Sequence, residues 1–222
     1  TCGARLTMNY NVPGGVMADI HPDFQRKTKA FLAFFKDKLP EYDELVTGNI
    51  IFQNRMKDIG IISKEDAISY GCSGPTARAS GVSCDIRKTH PYSIYDKVQF
   101  DEVLETTGDS FGRYLVRMQE MRQSIHIIEQ LIDNIPEGDF QAKTKAVLKL
   151  PKGEFYTRVE TARGELGVYI VSEGGLTPYR IKFRSPGFSN LSVLDHIARG
   201  SKLGDLVAMM GTLDLVIPDI DR

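Results

Sequence analysis

Residues 154–184, EFYTRVETARGELGVYIVSEGGLTPYRIKFR, decide the predicted fold class of this chain. Three segments of this stretch are rich in Val, Ile, Tyr and Phe, as β-strands are: 155–160, 166–172 and 179–184. Arg163-Gly164 and Gly174-Gly175 supply turn-forming residues between these segments. The pattern therefore predicts a small antiparallel sheet.

Helical patterns dominate the rest of the chain. Apolar residues recur at helical spacing over 22–39 and 110–135, with Pro22 in the first turn of the former and Asp109 capping the latter. Pro40 should end or kink the first of these helices. Shorter helices are predicted at 41–46, 49–56, 63–70, 191–198 and 203–210, and Ser63 with Asp66 three residues later resembles a capping box at the start of the third. The predicted class is α+β, a mainly helical bundle with a small antiparallel β-sheet.

The chain divides by composition into a mainly helical part, 1–150, and a part with the sheet and two C-terminal helices, 151–222. The helical part contains a long glycine-rich and charged loop at 71–100. A structureless loop of this size is usually functional or packed against a neighbour, so it suggests a partner. The chain begins with Thr1 rather than Met, and we therefore expect a fragment of a longer protein.

Composition excludes several classes of protein. The 28 basic and 29 acidic residues are interspersed, which argues against a nucleic-acid surface. No apolar run approaches the roughly 18 residues that indicate a membrane span. The cysteines, Cys2, Cys72 and Cys84, are too scattered for a disulfide framework and fit a reducing, cytoplasmic setting.

Catalytic and ligand-binding motifs are weak when the residues are considered alone. The sequence has no Walker loop, no Rossmann glycine fingerprint and no HExxH pair. The loop from Gly71 to Gly81, with Arg78, either offers N–H groups to an anion or is simply rich in turns. Cys84 and His90 could form a nucleophile–base pair, but nothing in the sequence brings them together. We predict no metal site.

Residues 71–95, GCSGPTARASGVSCDIRKTHPYSIY, resemble a motif of the D subunit of respiratory NADH-quinone oxidoreductase (complex I). The resemblance rests on the glycine-rich start followed by RASG, DxRK and PYxxY. Further stretches resemble the family in the same order along the chain: PGGV at 13–16, RGELG at 163–167 with PYR at 178–180, RSPGFSNL at 184–191 and GTLDLV at 211–216. Together these motifs cover most of the chain and imply the C-terminal part of the D subunit.

The resemblance also implies a fold like that of nickel-iron hydrogenase large subunits, which are related to this family. Those enzymes hold their metal with two CxxC pairs, the second near the C-terminus. The matching stretch here, LDLVIPD at 213–219, contains no cysteine. Because a nickel-iron centre needs four thiolates, a hydrogenase activity is excluded, and the resemblance implies a quinone chamber in place of the metal cavity.

Several residues acquire roles through the resemblance. It implies that Asp214, Val216 and Arg222 lie around the quinone chamber, although a packed terminal helix and tail would also fit them. Thr7 and Val12 match positions near the terminal iron–sulfur cluster of the adjoining subunit, where many members carry histidine and arginine. A threonine hydroxyl cannot take up a proton with the electron as imidazole does, which raises the possibility of menaquinone use.

Three charged residues of the long loop are interpreted as structural. Arg78, Asp85 and Arg87 are expected to fix the loop, or an interface, through charge-assisted hydrogen bonds rather than to take part in catalysis.

The function implied by the resemblance is the formation of a quinone cavity in an NADH:quinone oxidoreductase that translocates ions. The chain itself would hold no cofactor, quinone would be the substrate, and a 4Fe-4S cluster would lie in the adjoining subunit. Expected partners are the B and C subunits and, indirectly, membrane subunits. The complex would lie peripherally on the cytoplasmic side of the inner (plasma) membrane. Alternatives are a component of a coenzyme-F420 dehydrogenase or hydrogenase-like membrane complex, or a non-catalytic interaction module.

Overall fold

The computed structural model describes residues 10–144, 147 and 149–221. Its longer helices are α1 (Phe24–Tyr42), α2 (Ile50–Met56), α6 (Ser110–Leu131) and α9 (Leu203–Leu213). The shorter helices are α3 (Lys64–Ser69), α4 (Gly74–Arg78), α5 (Ile86–Thr89), α7 (Pro186–Leu191), α8 (Leu194–Ala198) and α10 (Ile217–Ile220). No helix among the described residues is both long and apolar enough to cross a membrane.

Two antiparallel sheets accompany the helices. Strands β1 (Asn11–Val12) and β2 (Gly15–Val16) form a short hairpin around the predicted PGGV turn. Strands β3 (Gly153–Thr161), β4 (Gly164–Ser172) and β5 (Arg180–Arg184) form a three-stranded sheet in sequence order. The α+β class and the three predicted strands are confirmed.

Pro40 was predicted to end or kink the first helix, and the helix does not end there. Helix α1 begins at Phe24, just after Pro22, and continues through Pro40 to Tyr42. A π-helical turn, Asp43–Thr47, then replaces the predicted helix 41–46. Tertiary contacts stabilise this turn, since Asp43 pairs with Arg122 of α6 and Thr47 bonds Tyr114 of α6 at 2.9 Å.

The long loop 71–100 was wrongly predicted to lack structure. Residues 72–80 are buried, and the segment contains α4 and α5. Gly74 lies so close to the β3–β4 turn that an added Cβ would be 2.5 Å from the Cα of Gly164. The first part of the loop is therefore part of the core, and turn chemistry alone could not indicate this because burial depends on a distant hairpin.

The capping predictions are confirmed for two helices. Ser63 accepts from the N–H of Asp66 at the start of α3, and Asp109 accepts from the N–H of Gly112 at the start of α6. The number of C-terminal helices was predicted too low. The described residues from 186 to 221 form four helices, α7 to α10, where two were predicted. The largest core cluster lies between these helices and α3–α4, and it includes Ile62, Met209 and Leu213.

Candidate functional site

A cavity of about 560 Å³ lies between α1, α6 and the β3–β4 turn. It is lined by both apolar and charged side chains. The apolar residues include Phe31, Leu32, Phe35, Met121, Ile125 and Ile128. The charged residues are Arg78, Arg87, Arg117, Glu120, Glu160 and Asp214. Such a cavity fits an amphipathic molecule with an apolar body and a polar head.

Arg78 is the most buried charge of this site, with 1% of its surface exposed. It lies at the end of α4 and pairs with Glu120 of α6 at 2.6 Å and with Glu160 of β3 at 2.8 Å. Burial raises the pKa of Glu160 above its ordinary value, although the charge of Arg78 opposes this shift. The three side chains fasten α4, α6 and the sheet to each other.

Asp85 and Arg87 form a second pair beside Arg78. Asp85 caps α5 by accepting from the N–H of Arg87, whose Nη2 also donates to its Oδ2 at 2.6 Å. Burial would raise the pKa of Asp85, but the bonds and charge of Arg87 lower it below its ordinary value. The guanidinium also lies 4.8 Å from the ring centre of Phe100. Arg78, Asp85 and Arg87 thus all engage in charge-assisted bonds within the fold.

Asp214 lies at the C-terminal end of α9 in a left-handed conformation, with φ of 55°. Its Oδ2 is 3.1 Å from Nε of Arg163 in the β3–β4 turn and 4.0 Å from Nε of Arg117 on α6. The two guanidiniums balance the negative charge of Asp214. The carboxylate at the cavity edge can therefore orient hydrogen-bond donors toward a ligand without making the site negative.

Val216 is half-buried and immediately precedes α10. The backbone from Asp214 to Val216 is not a strand, because Asp214 is in a left-handed conformation. The two side chains therefore do not share one strand face. Val12 lies in β1 opposite Gly15. Thr7 and Arg222 lie outside the described residues.

Three further arginines, Arg113, Arg117 and Arg163, were not predicted to belong to the site. Arg163 was interpreted as a turn residue and as part of the RGELG motif, and no role was predicted for the arginines of α6. Their spacing did contain a usable indication, because residues four apart lie on one face of a helix, so Arg113 and Arg117 point the same way. Their partners come from distant parts of the chain, and no local pattern indicates those.

The other candidate sites are not assembled. Cys84 lies beside Glu102, which accepts its N–H at 2.8 Å, whereas His90 contacts Arg158. The glycine-rich loop packs against the sheet, and Arg78 is committed to glutamates. Among the described residues, no group of three or more His, Cys, Asp or Glu side chains is arranged to hold a metal ion.

The whole chain matches one known family. The model of the family described as "Respiratory-chain NADH dehydrogenase, 49 Kd subunit" matches residues 1–150 and 143–222. The chain belongs to this family. The resemblance inferred from the motifs is confirmed.

Curated relatives agree with this assignment. The C/D subunit of NADH-quinone oxidoreductase from Bacteroides fragilis is 54% identical over all 222 residues, which are 42% of its own length. The D subunit of the same enzyme from Desulfotalea psychrophila is 47% identical over 99% of this chain and 59% of that protein. The chain thus spans about two-fifths to three-fifths of the length of these relatives.

A solved structure has the same fold. A chain of the membrane-bound sulfane sulfur reductase, an archaeal respiratory membrane complex, superposes with a TM-score of 0.90 at 37% identity. The match covers 96% of this chain and 59% of that one. The fold expected from the family resemblance is confirmed.

Proposed function

We propose that this chain is part of the D subunit of an NADH-quinone oxidoreductase and that it forms one wall of the quinone cavity. Family membership and relatives of up to 54% identity support the first part of the proposal. The observation that carries the second part is Asp214, which pairs with Arg163 and Arg117 and lines a cavity with both apolar and charged side chains.

The chemistry of the cavity suits a quinone. A quinone has an apolar ring and two carbonyl oxygens that gain negative charge on reduction. Phe31, Phe35 and Ile128 would contact apolar groups, while Arg117, which lines the cavity, would stabilise the reduced oxygens and Arg163 would hold Asp214. The chain would orient the substrate and supply electrostatics, and the electrons would come from a 4Fe-4S cluster in an adjoining subunit.

The partners follow from the same proposal. They are the cluster-bearing B subunit, the C subunit and, through the complex, the membrane subunits that translocate ions. The assembly would lie peripherally on the cytoplasmic side of the inner (plasma) membrane. The chain would bind no cofactor and no nucleic acid, and Val216 and Arg222 would line the quinone cavity beside Asp214.

A second candidate function is that of the corresponding component in a related membrane complex that takes electrons from another donor. The similarity to the sulfane sulfur reductase chain favours this candidate. The NADH-quinone oxidoreductase relatives are more similar, at up to 54% identity compared with 37%, and therefore favour the first. Measuring NADH oxidation by the purified complex distinguishes the two candidates.

Asp214→Asn in the assembled complex tests the cavity. Loss of the carboxylate leaves Arg117 and Arg163 unneutralised, so quinone reductase activity should fall roughly tenfold, as for the loss of a charge-assisted bond. NADH oxidation with ferricyanide, which accepts electrons before the quinone, should not change. Asp195→Asn, in an exposed pair with Arg199, is the matched control and should leave both activities unchanged. Wild-type quinone kinetics in the Asp214 variant would contradict the proposal.

A further inference from the structure

Arg113 is a second buried arginine of α6, with none of its surface exposed. Its Nη1 donates to the carbonyl oxygens of Gly60 at 3.0 Å and Gly108 at 2.8 Å. Its Nη2 donates to Oγ of Ser110 at 3.0 Å, and its Nε donates to Oγ1 of Thr212 at 3.2 Å. All acceptors of this guanidinium are therefore neutral.

Such a charge is expensive to bury. No carboxylate of the described residues lies within ion-pair distance of Arg113, unlike Arg78 with its two glutamates. Burial lowers the pKa of Arg113 to about 10, which still leaves the side chain protonated at neutral pH. Burying a cation without a carboxylate partner destabilises the folded state by several kcal/mol. We therefore expect Arg113 to have a role that offsets this cost.

The acceptors of Arg113 belong to three segments that are distant in sequence. Gly60 precedes α3, Gly108 precedes α6, and Thr212 lies in the last turn of α9. Thr212 Oγ1 is also 3.2 Å from Oγ of Ser110 on α6. The packing is tight here, because a Cβ on Gly60 would be 2.6 Å from Cγ of Met209 on α9. The end of α9 is thus fixed against α6.

This fixed point adjoins the candidate quinone site. Thr212 is two residues before Asp214, and Arg117 is one helical turn after Arg113 on α6. Helix α6 therefore holds the last turn of α9, which leads into Asp214. It also carries Arg117, one of the two cations that Asp214 faces. A small shift of Thr212 would change the distance from Asp214 to Arg117.

We propose that Arg113 and Thr212 are positioning residues that set Asp214 in the quinone cavity. They do not contact substrate and act through the last turn of α9. The inference rests on the proposed function. It predicts that weakening the contact between α6 and α9 changes quinone affinity in an otherwise intact complex.

Thr212→Val in the assembled complex tests the inference, because valine keeps the shape of threonine and removes one of the four acceptors of Arg113. The apparent KM for quinone should rise roughly fivefold, as for the loss of one hydrogen bond, with ferricyanide reduction unchanged. Thr212→Ser keeps the hydroxyl and should restore the wild-type KM. Thr76→Val is the matched control, since Thr76 is fully buried and its Oγ1 has no hydrogen-bond partner among the described residues.

Ser110→Ala removes another acceptor from the same network and should also raise the KM, so a poorly assembled Thr212 variant does not end the test. The inference is overturned if the KM stays at wild type in both variants, or if both activities fall together in both. If Asp214→Asn alters quinone kinetics while these variants do not, the inference fails and the proposed function stands. If Asp214→Asn itself has no effect, the proposed function fails.

Discussion

Removing one charged side chain from this protein should destabilise the fold more when the partners that it leaves behind are buried. Arg78 is almost completely buried and serves both Glu120 and Glu160. Arg199, by contrast, pairs with Asp195 across one exposed turn of helix, with 75% and 80% of the two side chains exposed. Water can replace the exposed contact between Arg199 and Asp195 at little cost, but it cannot reach the buried contacts of Arg78.

Arg78→Met should therefore lower the free energy of unfolding by roughly 3–5 kcal/mol at neutral pH, because it leaves buried carboxylates without a counter-charge. The loss should be smaller near pH 4–5, since removal of Arg78 raises the pKa of Glu160 further and protonation then neutralises that carboxylate. Denaturant unfolding of the purified protein at both pH values measures this. Arg199→Met is the control and should change stability little; equal effects of the two substitutions would contradict the argument.

Contacts between elements explain why the glycine-rich segment is not a free loop. Gly71 and Gly74 have almost the same backbone conformation, with φ of 66° and 63°. A Cβ on Gly71 would meet nothing within 4 Å, whereas one on Gly74 would lie 2.5 Å from the carbonyl oxygen of Arg163. Helix α4 thus starts in direct contact with the β3–β4 turn, which carries the Arg163 that faces Asp214.

Gly74→Ala and Gly71→Ala separate the effect of conformation from that of contact. Both substitutions place alanine at a positive φ, which costs roughly 1–2 kcal/mol. Gly74→Ala must also displace the β3–β4 turn, so it should destabilise the protein by about 1–3 kcal/mol more. Thermal unfolding of the two variants side by side measures the difference. Equal melting temperatures would show that the contact yields without cost.

At the scale of the whole molecule, the candidate site joins parts of the chain that are distant in sequence. Arg117 comes from α6, Arg163 from the sheet and Asp214 from the end of α9. The chain spans 42% of the Bacteroides fragilis relative and 59% of the Desulfotalea one. The proposed function is therefore tested in the assembled complex.

Thr7→His tests the assembled complex at the proposed contact with the iron–sulfur cluster of the adjoining subunit. An imidazole can take up a proton with the electron, which a hydroxyl cannot. The substitution should raise the midpoint potential of the terminal cluster and make it fall with rising pH near neutrality, as followed by electron paramagnetic resonance in a redox titration. Thr7→Val is the control and should change neither the midpoint potential nor its pH dependence. An unchanged potential in the His variant would remove Thr7 from the cluster's surroundings.

Local chemistry in the sequence determined most of the elements. Ser63 and Asp109 cap helices as predicted, because a cap depends on residues within one turn. The strand pattern of 154–184 likewise predicted the sheet, and the linear motifs predicted the family. Neither prediction depends on contacts between distant residues. The continuation of α1 past Pro40 was not predictable in this way, because contacts with α6 stabilise the π-helical turn.

The sequence by itself determined the α+β class, the main helices and strands, and the family, since each depends on neighbouring residues or on linear motifs. Only the tertiary structure decided that residues 72–80 are buried, that Asp214 is left-handed, and that Arg117 and Arg163 face it. The physical reason is that a side chain's charge partner and burial depend on which distant segments pack beside it. Periodicity and capping describe only the few residues that share a turn or a strand.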